Sequence, residues 1–183
     1  MTRNLFVMRH GEATHNLKHL MSSSVNGAPL TKTGELQAEA AGKAMAKLAH
    51  IDYIFCSPLL RTQQTAAIVA KITHVPQTHI IVDDRLREQD FGSFDGKTFD
   101  EYISQPQFKT DDDQFLLGAP DGESGKTVLL RVQEFLQSLE KPQYQGKTIL
   151  VVTHAYPFCH MSKIINGNYG SPETGDWQQF LLP

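Results

Sequence analysis

The sequence holds 183 residues, 40% hydrophobic and 20% charged, the make-up of a folded globular chain rather than a disordered or fibrous one. That length suits one compact domain able to bury roughly 70% of the surface its unfolded chain exposes. A net charge of −3 gives no electrostatic pull toward nucleic acid or an anionic membrane, so neither is expected as a partner. No apolar run approaches the ~20 residues of a membrane span, and the apolar core of "MTRNLFVMRHGE" is too short for a signal peptide. Cys56 and Cys159 are the only cysteines and lack metal-type spacing. They are expected to be reduced thiols of a cytoplasmic protein, with one disulfide as the alternative.

Apolar runs alternate with longer helical patterns, which predicts an α/β fold: a three-layer sandwich with a mostly parallel central sheet flanked by helices. Strands are expected at 4–8, 52–56, Ile80–Val82, Thr148–Thr153 and about 177–181. A first helix is expected over about 33–49, where Leu36, Ala40, Ala44 and Leu48 repeat every four residues. A second should open with Ser57 as N-cap and Pro58 at the first helical position. A third, over about 124–140, places Leu129, Val132, Phe135, Leu136 and Leu139 on one face. A fourth should follow His154 at once and stop before "NGNYGSPETG". Between Gly92 and Gly125 no period is sustained, and so long an irregular stretch reads as a functional insertion over about 93–125, such as a lid. The plainer alternative is a surface loop with one short helix.

In open α/β sheets, ligands gather outside the carboxyl ends of the strands. Arg9 and His10 directly follow the first strand, and Arg61 opens the helix after the second. Glu88 follows the third, and His154 ends the fourth. Each residue alone has an ordinary explanation: a surface ion pair for an Arg, a satisfied structural imidazole for a His, a solvated charge cluster for Glu88 beside Arg85 and Arg87. Their joint delivery to one sheet edge is the functional signal.

That set suits phosphoryl transfer. Two guanidiniums can hold phosphate oxygens through paired hydrogen bonds. A neutral imidazole with a free ring nitrogen can attack phosphorus and carry the group covalently. Backbone amides at a helix start and nearby cations stabilise charge on the equatorial oxygens. Phosphoryl transfer is mostly positioning plus electrostatics, so such a pocket could work without metal. A carboxylic acid can protonate the departing alkoxide and then deprotonate water. A metal site built from His10, Glu12, His15 and His19 lacks the i, i+4 spacing of a helical zinc pair. The triplet 111–113 lacks the alternating ligands and Gly of a calcium loop and reads as solvated surface.

The motifs carry a family resemblance. "RHGEATHN" resembles Arg-His-Gly-Glu-x-x-x-Asn, the signature of the histidine phosphatase superfamily, the phosphoglycerate mutase-like group. "APLTKTGELQA", "CSPLLRTQQTA", "LREQDFGSFDG", "GES" at 122–124 and "VVTH" at 151–154 follow in the family's order over nearly the whole chain. The resemblance implies a mixed, mostly parallel sheet flanked by helices and no cofactor. It implies His10 as the phosphorylated nucleophile, with Arg9, Arg61 and His154 around the phosphoryl group and Asn16 as a hydrogen-bonding neighbour. Glu88 would donate the proton to the leaving group. Ala155 stands where the family usually has Gly, and its backbone N–H is expected to serve an oxyanion.

The expected activity is a metal-independent phosphomonoesterase acting through a phosphohistidine on a small phosphorylated metabolite. The alternatives are a phosphoglycerate mutase and a phosphate-sensing binding module without turnover. Between Gly92 and Gly125 only Lys97 and Lys109 are cationic, while Phe94, Phe99, Tyr102, Phe108 and Phe115 supply rings. That balance favours hydrolysis of an ester carrying one phosphate on a partly apolar body.

Overall fold

In the computed structural model, residues 3–170 and 172–182 are described, with Asp111 and Gln114 described for their backbone alone. Five strands, β1 (Arg3–Arg9), β2 (Tyr53–Cys56), β3 (Ile80–Val82), β4 (Thr148–Thr153) and β5 (Trp177–Leu182), form one sheet in the order β3-β2-β4-β1-β5. The first four are parallel, and β5 runs antiparallel along β1. The strands begin and end within a residue of the expected positions.

The pleat explains why β1 and β4 are apolar on both faces. Leu5, Val7, Ile149 and Val151 point to one side, where α5 (Gly125–Ser138) and α6 (Ala155–Asn166) cover them with Val128, Val132, Phe135 and Met161. Phe6, Met8, Leu150 and Val152 point to the other, against α1 (Lys32–Leu48) and α2 (Leu60–Thr73). A central parallel strand covered twice has no polar face to spare. Phe6 is fully buried, and truncating it to Ala should cost about 3–5 kcal/mol.

Two local expectations fail. The stripe through Leu36, Ala40, Ala44 and Leu48 faces outward, with Leu36 and Leu48 54% and 57% exposed. The buried face of α1 is Gly34, Ala38, Ala41, Gly42 and Met45. These small side chains let α1 lie close on α2: a Cβ on Gly42 would stand 3.2 Å from Ile72 Cδ1. Helix α2 also starts later than expected, with Leu59 at its N-cap and no side-chain cap. The carbonyl of Val25 takes the Leu60 N–H at 2.9 Å, so the first turn does not need Ser57. By contrast Ser124 caps α5 as expected, accepting from Thr127 N.

The stretch after Gly92 holds two short helices, α3 (Phe99–Ile103) and α4 (Asp111–Leu117), where the alternative expectation had one. Both open with capping boxes, Thr98 with Glu101 and Thr110 with Asp113. Of the acidic triplet, Asp113 thus helps to start a helix, Asp112 is exposed, and the side chain of Asp111 lies outside the described residues. Tyr102, 1% exposed, packs with Met21, Phe91 and Ala119, and Phe94 and Phe108 lie against that cluster. Those rings hold the segment together, whereas Phe99 faces a cleft and Phe115 a separate cavity.

Candidate active site

The parallel register of β1 and β4 sets Arg9 opposite Thr153, so the residues that follow, His10 and His154, emerge side by side. His10 N–H donates to Thr153 O at 3.0 Å, and the imidazole centroids lie 5.1 Å apart. Behind His10 the chain turns against the start of α1. A Cβ on Gly11 would stand 2.3 Å from the Gly34 carbonyl oxygen, and one on Gly34 2.0 Å from that of Glu12. Only a backbone-on-backbone approach fits there, which is what the glycine after His10 permits. Gly11 N–H also donates to Thr65 Oγ1 on α2 at 3.2 Å.

Hydrogen bonds assign the proton on each imidazole. The Gly11 carbonyl can only accept, so His10 Nδ1, 2.7 Å away, carries the hydrogen. Arg61 Nε can only donate, and its 3.0 Å bond to His10 Nε2 marks that nitrogen as the lone pair. Arg61 Nη2 donates to His154 Nδ1 at 3.0 Å, which puts the His154 hydrogen on Nε2, facing Ser57 Oγ at 2.8 Å. Burial, then the Arg61 charge, holds the pKa of both imidazoles well below the ordinary histidine range and keeps them neutral.

Arg61 is 1% exposed and is tied to the Ser22 carbonyl by a 2.9 Å bond from Nη2. Burial lowers its pKa to about 10, which leaves it charged at neutral pH. Its Nη1 and the Nε of Arg9 are buried donors without partners among the described residues. An unmade bond on such a group costs about 1–3 kcal/mol or more, and an anion is a ligand that could satisfy both donors. Arg9 itself is steadied by a 2.8 Å bond from Nη1 to the Pro172 carbonyl.

Beside this buried group opens a cleft of about 440 Å³ lined by Arg9, Asn16, Glu88, Ala155 and Tyr156, among others. Glu88 Oε1 accepts from Gln89 N at 3.0 Å and from Tyr156 N at 3.3 Å. With Oε1 committed as acceptor, a proton on this carboxyl belongs on Oε2. Burial raises the Glu88 pKa, while the amide bond of Gln89 and the charges of Arg61 and Arg9 oppose that rise. The backbone bearing Glu88 is held by Arg131, whose Nη2 donates to Glu88 O at 3.1 Å and to Glu123 Oε2 at 3.0 Å. The "GES" motif therefore acts at a distance, through Glu123.

All the expected residues gather around this centre, though not all face it in the same way. Asn16 spends its Oδ1 on Ala13 N at 2.9 Å and turns its Nδ2 to His15 Nε2 at 3.2 Å. Ala155 is the first residue of α6, and it is not among the non-glycine residues with positive φ: His19, Ala28, His74 and Asp121. No glycine freedom is needed there, so Ala replaces Gly without backbone strain. Glu12 accepts from Thr31 Oγ1 at 2.6 Å and serves the start of α1.

Sequence reasoning misses the part played by two residues. Ser57 reads locally as a helix cap but orients His154. His15 enters the sequence reading only through a metal site that its spacing does not support, yet its ring lies 5.8 Å from that of His10, and burial, then Arg61 and Arg9, lowers its pKa to about 3. The position of Ser57 directly after a strand, on the same edge as His154, is the available signal.

A sequence model of the histidine phosphatase superfamily (branch 1) matches residues 5–168. The chain belongs to that superfamily. It is 30% identical over 172 residues to a 2,3-bisphosphoglycerate-dependent phosphoglycerate mutase of Methylobacterium sp. (strain 4-46), covering 91% of this chain and 82% of the relative. It is 34% identical over 140 residues to fructose-2,6-bisphosphatase TIGAR B of Danio rerio, covering 76% of this chain and 54% of that protein. The fold superimposes on the crystal structure of a Bacillus anthracis phosphoglycerate mutase with a TM-score of 0.85 at 19% identity, covering 99% of this chain and 88% of that one. Mutases and phosphatases thus both stand among the relatives of this member of the superfamily.

Proposed function

We propose that the protein is a metal-independent phosphomonoesterase that forms a phosphohistidine at His10 and acts on a small phosphorylated metabolite. One observation carries this reading: His10 is a neutral imidazole whose proton is fixed on Nδ1, with its Nε2 lone pair beside a buried guanidinium that has a donor to spare. An entering phosphate takes the Arg61 donors, which releases Nε2 to attack phosphorus. The bond from phosphorus to the leaving oxygen breaks, and the proton on Glu88 Oε2 passes to that oxygen. Water then attacks the phosphohistidine, its proton returns to Glu88, and phosphate departs. Arg9 and Arg61 supply the donors that stabilise the charge on the phosphoryl oxygens, and His154 stands beside them.

Two observations support a lid role for the segment 93–125: Phe99 lines the cleft, and Met21 N–H bonds to the Lys97 carbonyl at 2.8 Å, tying the segment to the loop after β1. The free thiols of Cys56 and Cys159 support a reducing, cytoplasmic setting. The mutase reading is favoured by the name of the Methylobacterium relative. Against it, a mutase must hold a second anionic group, and Arg9 is the only Lys or Arg among the described residues lining the cleft.

The test is phosphate release from p-nitrophenyl phosphate in EDTA, with acid-labile, base-stable phosphate trapped on the protein during turnover. His10→Ala should abolish both. Rapid interconversion of 3- and 2-phosphoglycerate, faster than any hydrolysis, would instead establish the mutase.

A further inference from the structure

A second cavity bears on which alcohol the phosphate leaves from. It measures about 540 Å³ and adjoins the phosphoryl cleft, because Ala155 and Tyr156 line both. Its size falls in the range of small-molecule sites, roughly 300–1,000 Å³. Tyr102, Phe115, Tyr156 and Tyr169 contribute aromatic walls, and α4 of the segment 93–125 supplies Phe115 as part of its cover.

Two polar atoms in these walls are unsatisfied among the described residues. Gln89 is 1% exposed, and its Nε2 donates to Glu123 O at 2.9 Å and to Tyr102 Oη at 3.2 Å. A carbonyl can only accept, so the amide cannot be turned around, and Gln89 Oε1 is left buried with no donor. His160, 4% exposed between Phe115 and Tyr169, likewise has a buried Nδ1 without a partner. Burial lowers its pKa to about 4, which leaves it neutral. Among the described residues no Lys or Arg lines the cavity, and Asp112 is its one carboxylate. A charged group entering here would lose its water and meet no counter-ion.

We infer that this cavity receives the leaving alcohol of the ester, and that this alcohol is uncharged, bears a ring and offers an O–H or N–H to Gln89 Oε1. The inference rests on the phosphatase reading for its placement beside a reacting phosphate, but the cavity's preference can be measured separately. A ring fills aromatic walls at low entropic cost, and a donor satisfies an acceptor that is otherwise orphaned.

The experiment compares the protein with its Cys159→Trp variant, in which a bulky ring intrudes from a wall of the cavity. The ratio of kcat/KM for 2-naphthyl phosphate over phenyl phosphate is read in each, since that comparison cancels the intrinsic reactivity of the esters. In parallel, 2-naphthol and 2-naphthoate are titrated by calorimetry. The ratio should fall at least tenfold in the variant, 2-naphthol binding should weaken at least tenfold, and 2-naphthoate should bind the parent protein at least tenfold more weakly than 2-naphthol. Near-ultraviolet circular dichroism verifies the fold, and Cys159→Leu is read in the same way if the Trp variant does not fold. If no ester is turned over, the phosphatase reading fails and the 2-naphthol titrations still decide the cavity. An unchanged ratio in a folded variant, or 2-naphthol binding that neither variant affects, overturns the inference, as does 2-naphthoate binding as tightly as 2-naphthol.

Discussion

Arg61 Nε donates to His10 Nε2 at 3.0 Å, so the side chain expected to grip the phosphate already holds the nitrogen expected to attack it. The bond keeps the site from leaving a buried lone pair and a buried cation both unserved. Under the proposed mechanism, phosphate binding and activation of the nucleophile are one event, because incoming oxygens would compete for the same guanidinium. The planar fork matters, since Nε and Nη2 reach two different imidazoles at once.

Arg61→Lys should therefore fail despite keeping the charge. A lysine ammonium cannot span His10, His154 and the Ser22 carbonyl together. Loss of a transition-state donor typically costs about 10²–10³-fold in kcat. Steady-state turnover of p-nitrophenyl phosphate should drop by that order, and inhibition by inorganic phosphate should weaken in parallel. Unchanged values for both would place Arg61 outside the reaction.

For Glu88, the leaving group is the diagnostic. Removing a general acid costs about 10²–10⁴-fold when the alkoxide needs a proton. Glu88→Gln should show that loss on alkyl phosphates and far less on p-nitrophenyl phosphate, whose anion leaves unaided. Equal losses on the two ester classes would move the acid elsewhere. Asp90, the neighbouring carboxylate, is a poor substitute because its Oδ1 is engaged by Gly92 N at 2.9 Å.

Ser57→Ala should act through His154. The fully buried His154 Nε2–H would lose its acceptor, and Leu59 N–H would lose its 3.3 Å bond to the same oxygen. Unfolding in urea should show a loss of about 1–3 kcal/mol, and kcat should fall while the KM for a small aryl phosphate changes little. Ser57→Thr, which keeps the hydroxyl, should recover part of both. A fully active and equally stable Ala variant would show that His154 needs no orientation.

The three imidazoles of the site also set a dependence of stability on pH. His10, His15 and His154 all have pKa values lowered from 6.5 in the folded chain. Above that value folded and unfolded chains bind these protons equally. Below it the unfolded chain gains protons that the folded chain refuses, so stability falls as pH drops, by up to about 1.4 kcal/mol per unit for each group. His160, lowered to about 4, adds to the same trend, and Glu88, with a raised pKa, works in the opposite sense, one group against four. Denaturation midpoints should decline steadily from pH 7 to pH 5, and inorganic phosphate should shift the curve upward. A midpoint that rises over this interval would contradict the neutral-imidazole assignment.

Some of this protein can be read directly from its residues. The first strand is legible because Leu5, Phe6, Val7 and Met8 are apolar without interruption, as a strand covered on both faces must be. The gathering of Arg9, His10, Arg61, Glu88 and His154 at one edge follows from where they stand after successive parallel strands, since the sheet order alone carries them together. Other features depend on distances that no local pattern encodes. Periodicity points to the wrong face of α1 because close packing on α2 selects Gly42 and Ala38 over Leu36 and Leu48, and closeness between helices is a tertiary quantity. Ser57 satisfies the local rule for a cap, but the Val25 carbonyl, from a distant loop, meets the amide of Leu60 instead. The free oxygen of Gln89 exists only because Glu123, 34 residues away, fixes the amide's orientation. Residue type and order determined the chemistry available at the sheet edge; the tertiary structure decided which atoms were left with bonds still to make, because satisfaction of a buried group depends on its neighbours in space.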